Sequence, residues 1–237
     1  MKRTIDVCLS PDLLHLYPVN DSTVVVVDIL RATSCMTTAF AHGVQSIRTF
    51  AHLQECLSLK QEGYMTAGER DGKKVDGFDL GNSPFEYMDP ALRGRKIAFT
   101  TTNGTQAIAK ASAAKDIIIG SFLNLSAVVK YLRETPNNVL IVCSGWKGKV
   151  NLEDTVFAGA LVEKLKTDFD FACDAPMLAQ RLYEQARKDM LDFLKDSSHI
   201  KRLKRLNIKK DISFCLTEDQ YHVVPIIRDG SILVLKL

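Results

Sequence analysis

Ser22–Leu30 reads STVVVVDIL, an almost unbroken apolar run rich in β-branched residues. Such a run is a strand covered on both faces, because a half-exposed strand would alternate apolar and polar positions. Similar runs recur along the chain, separated by helical spacing. ATSCMTTAFAHG follows with Gly43 as its stop, then SIRTF as a strand, HLQECLSLKQEG as a helix and YMTAGE as a strand. A loop rich in Gly, Asp, Asn and Pro (Arg70–Pro90) leads to the strand KIAFTT and a helix opened by TTTNGTQAI. DIIIGSF, LSAVVKYLRE and NVLIVCSG read as strand, helix and strand, and NLEDTVFAGALVEKLK as an amphipathic helix. This alternation predicts an α/β fold, a mainly parallel sheet with helices on both faces in three layers.

The tail departs from that rhythm. Ala175–Ser197 reads as one long helix, His199–Asn207 as a basic helical piece, and HVVPIIRDGSILVLK as a terminal β-hairpin turning at Asp229-Gly230. No fixed-period repeat or linker stands out in the 237 residues. The expectation is a single α/β domain over 1–237, with a soft boundary near 167–174.

Composition narrows the classes. Apolar content of 46% and charged content of 25% suit a soluble globular enzyme. A net charge of +3 does not by itself imply a nucleic-acid partner. No apolar run suits a bilayer span, and Asp6 and Asp12 interrupt any signal-peptide core in MKRTIDVCLSPD. The six cysteines are scattered without a CxxC, as expected of buried free thiols, so the expected compartment is the cytoplasm.

Three strand ends carry unusual polar residues. Thr100–Thr105 reads TTTNGT, where a plain connection needs one cap and one turn residue. In open α/β sheets, ligands bind beyond the carboxyl ends of strands, where the first N–H groups of the next helix are unpaired and favour an anion. Thr101, Thr102, Asn103 and Thr105 are candidates to cap and contact it, and Gly104 to let a ligand approach the backbone; a bare helix cap is the plain alternative. VVVVDILRATS makes the same transition through Asp28, Arg31, Thr33 and Ser34, and LIVCSGWKGKVNLED through Ser144, Gly145 and Lys147 before Glu153 and Asp154. All three would face one rim of a parallel sheet, forming a site for a phosphorylated small molecule.

Acidic residues accompany the turns. A carboxylate ending a buried strand, as at Asp28, is costly unless paired or bound to a cation. Glu69, Asp76 and Asp79 lie in the glycine-containing loop GERDGKKVDGFDLGNSP. Carboxylates opposite phosphate-binding turns suit Mg²⁺, which takes few protein ligands. No His and Cys spacing supports zinc. The plain alternative pairs Asp28 with Arg31 and leaves the loop acids in water.

VDILRATS, GERDGKKVDGFDLGNSP, TTTNGTQAI and CSGWKGKVNLEDTVFAGAL together resemble the 2-phosphosulfolactate phosphatase family, over most of the chain from Asp6 to VVPIIRDG. The resemblance implies an α/β fold of the family's own kind. It also implies Mg²⁺-dependent hydrolysis of 2-phospho-3-sulfolactate to 3-sulfolactate and phosphate, on the route to coenzyme M. By motif position it puts Asp28, Arg31, Glu153 and Asp154 in the chemistry, and Asp28, Glu69 and Asp79 at the metal. Such a substrate carries phosphate, carboxylate and sulfonate on a small skeleton, so Arg31, Arg70, Lys73 and Lys147 are candidates to bind it. Whether Asp28 is a nucleophile or a metal ligand stays open. The expected partner is the small phosphorylated substrate, without nucleic acid or membrane, and a homodimer is kept open as the assembly.

Other readings of the same residues exist. VVVVDILRAT, AFTTTNGT and EDTVFAGA superficially resemble the motifs of haloacid-dehalogenase-type phosphatases, but Leu30 stands where that chemistry needs a second acid. The basic run KRLKRLNIKK (Lys201–Lys210) would suit nucleic acid but lacks aromatics for stacking, so a solvated helix face explains it more simply. A third reading has His199, Lys201 and Arg202 close over an anionic substrate. Trp146 is a candidate pocket wall, and Cys143 a buried packing residue rather than a nucleophile.

Overall fold

The computed structural model describes residues 2–206 and 208–235. The strands are β1 (Thr4–Cys8), β2 (Ser22–Val27), β3 (Ser46–Thr49), β4 (Met65–Arg70), β5 (Lys73–Lys74), β6 (Lys96–Thr100), β7 (Asp116–Gly120), β8 (Asn138–Cys143), β9 (Asp170–Phe171), β10 (Val224–Arg228) and β11 (Ser231–Leu235). The helices are α1 (Ala32–Ala41), α2 (Leu53–Ser58), α3 (Gly104–Lys110), α4 (Leu125–Glu134), α5 (Leu152–Leu165), α6 (Asp174–Ala186), α7 (Met190–Leu194), α8 (Ser198–Lys204) and α9 (Lys209–Cys215). All the strands join one sheet in the order β5-β4-β6-β3-β11-β10-β7-β2-β8-β1-β9.

β2 explains its own sequence. Val25 and Val27 pack into the core under α4, α5 and α6, while Val24 and Val26 enter the core under α1 and α3. With both faces covered, alternation has no purpose. The three-layer α/β expectation therefore holds, and no helix among the described residues is long and apolar enough to cross a membrane.

The sheet is two parallel blocks rather than one. β4, β6 and β3 run parallel to each other, as do β7, β2, β8, β1 and β9. The C-terminal hairpin β10–β11 lies between them, antiparallel to both neighbours, so the blocks point in opposite directions. In a flat sheet the ends of β2 and β6 would lie five spacings apart, roughly 24 Å, and at opposite edges. They nevertheless touch, because a Cβ built on Gly104 after β6 would lie 2.9 Å from Asp28 Oδ2 after β2. The sheet therefore bends over at the hairpin. Each junction there rests on one register pair, Ile226 with Ile118 and Ile232 with Ile47.

Two sequence expectations change, and a third holds. α5 is not amphipathic: it is buried along nearly its whole length between the sheet and α6, so apolar residues surround it. Gly159 permits that packing, since a Cβ there would collide with the Ala179 carbonyl of α6. The long helix expected over Ala175–Ser197 is broken into α6 and α7, because Asp189 turns out to be an N-cap, its carboxylate accepting from Asp192 N at 2.9 Å. The basic piece forms α8, while Asn207 lies outside the described residues.

Candidate active site

β2 delivers Asp28 to an enclosed cavity of about 20 Å³. Glu69, Arg31, Asn103, His199 and Arg202 share that lining. The space suits one water-sized ligand. Asp28 is only 8% exposed, and its Oδ1 accepts no closer than 3.4 Å, from Ala32 N. Burial lifts its carboxyl to about 6; Glu69 and Glu153 push the same way and His199 opposes them. Thr33 and Ser34 do not face the cavity as the turn reading expected. The Thr33 hydroxyl donates to Asp28 O at 2.9 Å and accepts from Asp28 N, and the Ser34 hydroxyl donates to Ile29 O at 2.8 Å. Both hydroxyls are spent bending the chain that aims Asp28.

The polar stretch after β6 is likewise partly spent on itself. Thr101 and Thr105 cap each other, with the Thr105 hydroxyl donating to Thr101 O at 3.0 Å and Thr105 N to Thr101 Oγ1 at 3.4 Å. Thr102 N donates to Glu69 Oε1 at 2.8 Å, and Gly72 N to Glu69 Oε2 at 2.6 Å. A carboxylate of the protein thus occupies an N–H expected to meet the ligand. Gly104 serves close approach, since a Cβ would press on both Asp28 Oδ2 and Ala32 Cβ.

Arg70 and Asp79 are not brought to the cavity. The Arg70 guanidinium donates to Glu69 O at 2.7 Å and Thr100 Oγ1 at 2.9 Å, bracing β4 against β6. Asp79 accepts from Thr66 N at 2.8 Å and Thr66 Oγ1 at 2.9 Å, and pairs with Lys60. Its loop folds back on β4, so it is removed from the metal candidates. Lys73 is exposed on β5.

The start of α5 gathers the third turn. Asp154 accepts from Ile29 N at 2.9 Å and Gly145 N at 3.0 Å, tying the exits of β2 and β8 together. Burial, then Glu153 and Asp28, raise its carboxyl well above the usual range. Asp154 is not among the residues lining the cavity, so it braces the site rather than facing it. Glu153 is 0% exposed; Oε1 meets His199 Nδ1, while Oε2 has no partner among the described residues. Gly145 adopts φ +60°, and Lys147 N donates to Asn103 Oδ1 at 3.1 Å, joining the second and third turns. A wider cavity of about 290 Å³ adjoins at Asn103, lined also by Thr102, Ser144, Lys147 and Lys110. The Ser144 and Thr102 hydroxyls are buried without partners among the described residues. All three strand ends therefore meet, but they come from opposed blocks of a bent sheet, not from one rim.

Sequence reasoning missed Asp211 altogether. Arg31 pairs with Asp211 of α9 and donates to Gly72 O at 3.1 Å; it does not pair with Asp28. α8 covers the cavity with His199, Arg202 and Leu203, whereas Lys201 pairs outside with Asp196. Arg202 stacks 3.6 Å over the Trp146 ring, and its Nη2 is buried without a partner among the described residues. The i,i+3 spacing of His199 and Arg202 was the available signal. Cys143 is buried, and burial holds its thiol well above the ordinary value, so packing is its part. Leu30 is buried and apolar, leaving the haloacid-dehalogenase motif without its second acid. Among the described residues no group of three or more His, Cys, Asp or Glu side chains is arranged to hold a metal.

Comparison with known proteins agrees with this architecture in extent. The profile of the family described as 2-phosphosulpholactate phosphatase matches residues 8–230. A probable 2-phosphosulfolactate phosphatase of Thermotoga petrophila is 42% identical over 232 residues, covering 98% of each chain. A protein of the same name from Caldanaerobacter subterraneus subsp. tengcongensis is 39% identical over 90% of each chain. One from Clostridium acetobutylicum is 36% identical over 97% of this chain and 99% of its own. The chain belongs to the 2-phosphosulfolactate phosphatase family, an enzyme family of phosphoric monoester hydrolases.

Proposed function

We propose that the enzyme removes phosphate from a small, multiply anionic phosphomonoester, with 2-phosphosulfolactate as substrate and 3-sulfolactate, on the route to coenzyme M, as product. One observation carries the reading: a single enclosed cavity gathers the buried acids Asp28 and Glu69 with Arg31 and Arg202. Carboxylates alone would repel phosphate. Acids and arginines together suit a phosphate joined to the protein through a cation.

Mg²⁺ fits this donor set. Asp28 is buried without an ion-pair partner among the described residues, Glu69 lines the same space, and Mg²⁺ commonly takes one or two carboxylates with water and substrate oxygens as the rest. Asp28 and Glu69 would hold it; Asp79 would not. When bound, the ion would offset phosphate charge and acidify coordinated water. Arg202, through its unpartnered Nη2, would take a phosphate oxygen, and Arg31, anchored on Asp211, would add positive field. Lys147, Lys110 and Ser144 would receive the sulfonate or carboxylate end in the wider cavity. A space of about 20 Å³ does not admit a phosphomonoester, so α8 must move to let one in.

A panel of phosphomonoesters assayed with and without EDTA tests the reading. Phosphate release, greatest from 2-phosphosulfolactate and abolished by chelator, is expected. Equal turnover in EDTA overturns the metal claim, and no release from any ester overturns the function.

A further inference from the structure

His199 is held in a way that a mere packing histidine would not need. Its Nδ1 meets Oε1 of Glu153, a fully buried carboxylate, and lies 3.2 Å from Asn151 Nδ2. Nε2 has no hydrogen-bond partner among the described residues, yet the ring lines the same small cavity as Asp28. Trp146, its ring centroid 6.0 Å away, and Arg202 wall the imidazole in. A carboxylate accepts hydrogen bonds, so Nδ1 is the protonated nitrogen facing Glu153. That leaves Nε2 as the ring atom free to meet whatever enters the cavity.

We propose that His199 is the general acid of the hydrolysis, with Glu153 as its positioning residue; this rests on the phosphatase reading above. Water oxygen bonds to phosphorus as the bond from phosphorus to the ester oxygen breaks. The departing alkoxide takes the Nε2 proton and leaves as the alcohol. Both water protons stay with the released phosphate, which returns one to the neutral ring. A sulfolactate oxygen is a poor leaving group unless protonated, so this step matters for an alkyl ester. Charged groups around the ring are Glu153 on α5, Asp28 and Arg31 after β2, Glu69 on β4, and Arg202 one turn on along α8.

The test separates leaving groups. His199→Gln should lower kcat on 2-phosphosulfolactate by about 10²–10⁴-fold, but on 4-nitrophenyl phosphate, whose phenolate leaves unaided, by less than about tenfold. The fall of wild-type kcat at high pH should vanish in the variant. Equal losses on both esters, or a variant that keeps the high-pH fall, overturn the proposal. If wild type does not cleave the aryl ester, the pH profile alone decides. Should His199→Gln fail to fold, Glu153→Gln decides. It should lower kcat on 2-phosphosulfolactate more than on 4-nitrophenyl phosphate, and equal losses on both overturn the proposal. Wild type that releases no phosphate from any ester overturns both readings, whereas an active wild type with an equally active His199→Gln overturns only this one.

Discussion

Burying the Asp28 carboxyl displaces its titration to about 6, chiefly because the ionised form loses water, with Glu69 and Glu153 adding repulsion. The unfolded chain titrates near the ordinary aspartate value, close to 4. Between those pH values the folded state keeps a proton that the unfolded state has lost. Stability is therefore lost as pH rises through that window, and above it the ionised fold carries a penalty of roughly 2–3 kcal/mol. Asp28→Asn removes the charge but still buries an amide. In EDTA at pH 7 it should stabilise the protein by about 1–2 kcal/mol, raising Tm by about 3–6 °C, with the gain vanishing by about pH 4. Thermal melts across pH check this; a variant less stable than wild type at pH 7 contradicts the account. Asp28, Asn103 and Glu69 were legible in sequence because each lies at or just beyond a strand end. Asp79 and Arg70 were misplaced because they bond the side chains of Thr66 and Thr100, on the strands they brace, a loop-path detail no spacing reveals.

Elements that join the site depend on close packing elsewhere. α5 brings Glu153 to His199 and Asp154 to the exits of β2 and β8, while α6 presses on its far side at Gly159. Gly159→Ala would drive a methyl into the Ala179 carbonyl and force the helices apart, costing about 1–3 kcal/mol or more. Urea denaturation measures it; a change below about 0.5 kcal/mol would show that α6 shifts freely. The composition of α5 was visible, but an all-round apolar helix needs two covers, and the second cover comes from a later helix. The break between α6 and α7 was missed for a local reason, since Asp189 within a helical pattern looks like a solvated residue until its carboxylate is seen capping.

Across the whole molecule, the C-terminal hairpin holds two opposed parallel blocks together and sets the bend that unites their carboxyl ends. Its strands and turn were legible in VVPIIRDGSILVLK, but its central position was not, because strand order is a tertiary fact. Removing residues 224–235 should abolish cooperative folding, as judged by circular dichroism and melting; a folded, active truncation would show that the hairpin only decorates an edge. On that bend rests the central claim, that Asp28 from one block and Glu69 from the other act on one phosphate through a shared cation. The most direct measurement restores Mg²⁺ stepwise to EDTA-treated protein and follows phosphate release from 2-phosphosulfolactate. Wild type should recover saturably, while Asp28→Asn and Glu69→Gln should each stay about a hundredfold or more below it and need more metal for half-recovery. Turnover by wild type that ignores the metal, or near-normal turnover by either variant, would contradict the account.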